Sequence, residues 1–228
     1  MERRNADSHH PDGQGPASAD SPRPESGRTS SERANSVWGN PDWRFVGGHR
    51  ALDLANTVAP RPPGPVERDY LSDPAGLLEW AQRAEVVDAR EAARVSRAWQ
   101  PEFVFADVLE LRGLVDDVLT GRRLGELSRR WAEAMGRAEL VPGAGGAATL
   151  VVGADPAMMI GDRLADALVD LVRNADLSRL RECPVAEGGC GWLFLDRSRN
   201  QSRKWCTMDD CGTHAKSKRL TERRRASR

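Results

Sequence analysis

Apolar residues recur three and four positions apart through most of residues 73–174, the period of helices that bury one face. Asp73-Pro74 places a capping carboxylate before a proline at the first helical position, opening a helix in which Leu77, Leu78 and Ala81 share a face. A second helix is predicted over 89–98, presenting Ala92, Val95 and Trp99. The clearest one runs over about 102–120, with Phe105, Val108, Leu109, Val115, Val118 and Leu119 in step and Gly121 placed as its C-terminal stop. Leu124, Leu127, Trp131 and Met135 mark the next. The period then changes. Residues 139–141 and 148–152 read as short strands joined by a Pro-Gly-Ala-Gly-Gly turn, a small β-hairpin. Asp155-Pro156 repeats the cap-plus-proline start for a helix carrying Ile160, Leu164, Leu168, Leu171 and Val172 and ending near Asn174. Upstream, Gly47-Gly48 turns the chain into a short apolar helix closed by the proline-rich loop 60–65.

Residues 1–36 show no such pattern and no aromatic or β-branched aliphatic residue before Val37, so a disordered arm is expected there, with His9-His10 as solvated composition and order beginning near Trp38 or Phe45. The pattern therefore predicts an α+β chain, mostly α: a helical N-terminal domain with a small β-hairpin over 37–178, then a small C-terminal module over 179–228 ending in a basic helix. The last segment is too short for a sizeable core and needs a staple.

Composition adds a class and a compartment. With 228 residues, 39% hydrophobic and 30% charged, the chain can bury a real core, which excludes a wholly disordered protein. No run of 18 apolar residues occurs and the first residues lead into polar sequence, so no membrane span and no secretory signal are expected, and the cytoplasm is the expected compartment. Lys+Arg and Asp+Glu both number 34, yet the zero is a cancellation. Residues 175–228 hold 13 basic and 7 acidic side chains, residues 1–174 hold 21 and 27, and the last fifteen residues carry seven basic side chains against Glu222 alone. An acidic body with a basic end points to a polyanionic partner at that end.

The staple is visible in the cysteines. Cys183, Cys190, Cys206 and Cys211 fall within 29 residues while the preceding 182 contain none. Clustered thiols in a reducing cytosol indicate a metal, and four thiolates at about 2.3 Å suit one tetrahedral Zn2+. Gly188-Gly189 and Gly212 allow tight turns beside the ligands. His214, three residues past Cys211, offers an alternative set with Cys190, Cys206 and Cys211; the four-cysteine set is preferred because it leaves no thiol unexplained. Four protein ligands fill the coordination sphere, which makes the zinc structural rather than hydrolytic. Trp192, Phe194 and Trp205 read as the module's miniature core in preference to a base-stacking platform.

At these residues the chain resembles a known family. Residues 190–196 (Cys-Gly-Trp-Leu-Phe-Leu-Asp), 198–208 (Ser-Arg-Asn-x-Ser-Arg-Lys-Trp-Cys-x-Met) and 211–216 (Cys-Gly-x-x-Ala-Lys) closely resemble the CGNR zinc finger family. Gly47-Gly48-x-x-Ala51-Leu52-Asp53-Leu54-Ala55-Asn56-Thr57 resembles the opening of the ABATE domain, the usual N-terminal partner of that finger. The resemblance implies a bacterial stress-responsive transcription regulator whose finger binds zinc and DNA. The name-giving Cys-Gly-Asn-Arg reads Cys211-Gly212-Thr213-His214 here, which exchanges an amide and a guanidinium for a hydroxyl and an imidazole.

Expected contacts to double-stranded DNA are Arg197, Arg199, Asn200, Arg203 and Lys204 in the loop, with His214, Lys216, Lys218, Arg219 and Arg223 beyond the last cysteine. The N-terminal domain is expected to supply homodimerisation or sensing of a small-molecule effector, with His49, Asp53 and Asn56 as candidate effector-binding residues. An RNA-binding or ribosome-associated zinc module is the alternative. An enzyme is not expected, because no phosphate-cradling glycine loop and no nucleophile elbow is present. A DNA partner would place the protein on the nucleoid.

Overall fold

The computed structural model describes residues 43–62 and 65–227. The expectations for the arm 1–36, His9-His10 and Trp38 fall outside them. Helices α1 (Arg50–Ala55), α2 (Pro74–Arg83), α3 (Ala89–Ala98), α4 (Pro101–Leu119), α5 (Leu124–Gly136) and α6 (Met159–Asn174) form the body. Three two-stranded antiparallel ribbons accompany them: β1 (Val58–Ala59) with β2 (Arg68–Asp69), β3 (Glu139–Pro142) with β4 (Ala148–Val151), and β5 (Leu180–Glu182) with β6 (Leu193–Leu195). The chain ends in α7 (Thr213–Ala226). The mostly helical reading, its hairpin and its C-terminal cysteine module are thus all present.

Capping chemistry explains most boundaries. The Asp73 carboxylate accepts from Gly76 N at 2.7 Å at the start of α2, and Asp88 and Glu91 form a reciprocal capping box on α3. Gly121, at φ +79°, ends α4 as expected. The start of α6 differs from expectation. Asp155 accepts from Ala157 N and its carbonyl accepts from Met158 N, which closes a separate turn, so the helix begins at Met159 instead of directly after Asp155. The apolar stretch 191–195 reads as a strand in the sequence, and β6 lies within it; β1, β2 and β5 lie below the length at which a period can be read.

Helix α4 is the centre of the body, packed against α6, α1, α2 and α5. Because neighbours lie on two sides, its buried stripe is wider than the pattern suggested: Val104, Leu111 and Leu114 join Val108, Val115 and Val118 inside, while Phe105, Leu109 and Leu119 are half-buried. Ion pairs fasten the helices from outside. Arg137 forks onto buried Asp162 at 2.6 and 3.0 Å, joining α5 to α6. Arg163 of α6 grips Glu91 of α3 at 2.7 Å through both nitrogens and also donates to the Val86 and Val152 carbonyls, which pulls the Glu91 carboxyl down to about 2.

Strand β6 divides the interior. Its alternation sends Leu193 and Leu195 into the core of the helical body, while Trp192 just before it and Phe194 within it face a second cluster built of the four cysteines, Ala59, Trp205 and Ala215. One three-residue strand is therefore a wall shared by two cores, buried on both faces.

Candidate metal centre

Each pair of cysteines sits on a turn that its neighbours dictate. Cys183 ends β5 and donates its N–H to Trp192 O at 2.9 Å, and Gly191 N returns to Cys183 O at 3.0 Å. Between them a 3-10 turn over Val185–Glu187 leads to Gly188 at φ +93°. Gly189 must be glycine because a Cβ there would lie 2.7 Å from Cys183 Sγ. Cys206 precedes, and Cys211 lies within, a wide turn, Met208–Gly212, that runs directly into α7. Thr207 Oγ1 donates to Asp210 at 3.0 Å across that turn.

The turns bring all four Sγ atoms within 4.8 Å of one another, buried, with Cys190 and Cys206 at 3.3 Å and Cys206 and Cys211 at 3.5 Å. A zinc tetrahedron with ~2.3 Å bonds has sulfur–sulfur edges of ~3.8 Å, close to these spacings, so the set is of the size that holds one ion. Thiols this close cannot all ionise unaided. Hydrogen bonds from Cys190, Cys206 and Cys211 hold the Cys183 thiol well below its ordinary value, while that same contact, the other thiols and burial push Cys190 up, and Cys211 rises too. Four thiolates at this spacing are tolerable only around a divalent ion. His214 stays outside the cluster: its ring packs towards Gly188, leaving the ligand set as the four cysteines. One structural Zn2+ is the cofactor of this module.

The polar loop behind the site is held from within. Fully buried Asp196 accepts from Ser198 N at 2.8 Å and Arg203 N at 2.9 Å, and the adjacent Ser198 side chain, helped by these bonds, keeps its carboxyl below the usual range. The Arg203 guanidinium stacks 4.5 Å from the Phe194 ring and donates to the carbonyls of Trp205 and Cys206, so it braces the metal loop. Trp192 donates to Val58 O at 2.8 Å and meets Tyr70 edge-on. All three aromatic rings of the module are core, as the preferred reading had it.

The basic side chains sort into two groups. Glu187 accepts from Lys204 at 2.6 Å and Arg219 at 2.8 Å, drawing the loop and α7 together, and Arg197 donates to Gly48 O at 2.6 Å. Arg199, Asn200, Lys216, Lys218 and Arg223 are exposed and make no side-chain hydrogen bond or ion pair with other described residues. From Lys216 to Arg225, α7 is exposed at every position, so nothing but its first turn is packed.

The model of the ABATE domain, described as "Putative stress-induced transcription regulator", matches residues 48–175, and the CGNR zinc finger model matches residues 179–224. The chain belongs to the ABATE family. No curated protein matches it. Its ABATE domain carries the three candidate effector residues, and the structure does not bring them to one pocket. His49 caps α1, accepting from Ala51 N, and donates to Asp170 at 3.1 Å on the rim of an open cleft of about 510 Å³. Asp53 is buried and accepts from Gly47 N at 2.8 Å; burial pushes its carboxyl up to about 6 against the pull of the Gly47 and Val46 N–H groups. Asn56 both donates to Leu193 O and accepts from Leu193 N, each at 2.8 Å. Leu195 N reaches Gly47 O at 2.9 Å and Arg61 N reaches Cys190 O at 3.2 Å. The ABATE opening motif is therefore the seat of the zinc finger. A polar asparagine on an otherwise apolar helix end was the available signal for that bridge; nothing in the sequence marked Leu193 as its partner or Glu187 as the tether.

Proposed function

We propose that this protein is a zinc-dependent, DNA-binding transcription regulator. The observation that carries the reading is α7, a basic helix that leaves the metal cluster directly after Cys211 and is solvent-exposed from Lys216 to Arg225. Zinc fixes the turn from which the helix springs, and Glu187 sets loop 197–204 beside it. Lys216, Lys218, Arg219 and Arg223, with Arg199 and Asn200 from the loop, would meet the phosphates of double-stranded DNA, assisted by Arg197, Lys204 and His214; Arg203 would act by holding the loop. Contact with about four phosphates gives a log–log salt slope of roughly −3.6. Loss of zinc should abolish binding, because the loop and helix lose their common anchor.

The ABATE body is the regulatory half of this reading, supplying homodimerisation or effector sensing, and the family descriptions support a regulator rather than an enzyme. Asn56 and the Gly47 carbonyl tie the body to the finger through Leu193 and Leu195. The RNA alternative depended on Trp192, Phe194 and Trp205 stacking on unpaired bases, and all three are buried. Competition between duplex DNA and single-stranded RNA for the zinc-loaded protein tests the choice: duplex should win. No described helix is long and apolar enough to cross a membrane; the nucleoid of the cytoplasm is the proposed location because duplex DNA is the proposed partner.

A further inference from the structure

We infer that the protein self-associates through the β3–β4 hairpin, with β4 of a second copy pairing antiparallel to β4 of the first to form a four-stranded sheet across a two-fold axis. This gives a surface to the dimerisation role proposed for the ABATE body and requires nothing of the DNA-binding reading. Residues 140–154 contain no charged side chain in a chain that is 30% charged. The register sets Leu140 opposite Leu150 and Pro142 opposite Ala148, so these four share one face. All four are exposed, Leu140 at 72% and Leu150 at 50%. A lone two-stranded ribbon is marginal in water, and no third strand pairs with this one among the described residues.

The two edges differ. Strand β3 begins with Glu139 and ends with Pro142, both of which discourage strand addition, whereas Ala148–Val151 has neither charge nor proline. A second copy is the occupant that fits β4. Antiparallel pairing of a strand with itself is two-fold symmetric by construction, so the contact closes at a dimer. A neutral surface is complemented by a neutral surface, and the net acidic character of residues 1–174 disfavours anionic lipid. Residues 1–36 hold no Val, Leu, Ile or aromatic residue with which to supply the missing strand. Beyond Leu150 the chain enters a cleft beside α6 that Arg50, Arg163, Asp166 and Asp170 also line, and Arg163 holds the Val152 carbonyl, so the neutral contact is confined to the hairpin itself.

Sedimentation velocity on the zinc-loaded full chain without DNA, from about 1 to about 200 μM, tests the proposal. Wild type should shift from monomer to dimer, and about 0.5 M salt should leave the dimer in place, because an uncharged contact is not screened. Leu140→Lys with Leu150→Lys should be monomeric with an unchanged circular dichroism spectrum, since both positions are exposed; Phe103→Lys, at an exposed apolar site on α4, should dimerise like wild type. Hydrogen exchange provides a readout without substitution: amides of residues 147–152 should become protected as concentration rises. A monomer throughout this range, a dimer that survives the double substitution, or unchanged exchange in 147–152 would overturn it. Because DNA is absent, these outcomes are independent of duplex binding.

Discussion

Asn56 uses both ends of one amide to satisfy both backbone groups of Leu193, and no other side chain of its size offers a donor and an acceptor in that fork. Asn56→Ala leaves a buried N–H and C=O without partners and should cost about 2–4 kcal/mol, read from urea unfolding of the zinc-loaded protein. Zinc transfer to a chelator should accelerate in the same variant, because the strand it anchors adjoins Cys190. Asp53 makes a second prediction at this scale. Its folded value of about 6 lies above the ordinary 3.8, so the native state binds a proton more readily between those values. Stability contributed at this site therefore falls as pH rises from about 4 to about 6 and is constant above, by up to about 3 kcal/mol. Asp53→Asn removes the titration: its stability relative to wild type should improve across that window and stay level at higher pH, and a difference independent of pH would refute the assignment.

Among elements, the helices were legible wherever one face carries the burial and a cap marks the start, as at Asp73, and Gly121 marked the end of α4 equally well. Legibility failed where tertiary contact sets the outcome. Helix α4 was legible in its extent but not in the width of its buried stripe, because it packs on two sides; β5, the partner of β6, is three residues long and exists because Cys183 and Trp192 bond across the turn. The four zinc ligands could be read from the clustering of the cysteines, with His214 as a rival, but the roles of His49, Asp53 and Asn56 could not, since polar residues near a glycine pair look alike whether they bind a ligand or seat a neighbouring strand. Glu187 is the element-level device to test. It occupies Lys204 and Arg219 with one carboxylate, so Glu187→Gln should release both to phosphate and raise duplex affinity about two- to fivefold at low salt, measured by fluorescence anisotropy; unchanged or weaker binding would show that the tether orients more than it competes.

At the scale of the molecule, the formal charge of zero describes neither part. An acidic helical body repels a polyanion while a basic helix, stapled to that body through zinc and the Asn56 seat, attracts one. Two such chains joined along β4 would present two fingers related by a two-fold axis, the arrangement that reads inverted repeats. The measurement that bears most directly on the whole is duplex DNA affinity of the full chain as a function of salt, with zinc bound and after chelation. Between about 50 and about 300 mM salt, a range that takes the screening length from well above to well below ~10 Å, the zinc-loaded protein should lose affinity with a log–log slope of roughly −3.6, and the chelated protein should not bind. Affinity that is flat across this range, or that survives removal of the zinc, would contradict the account.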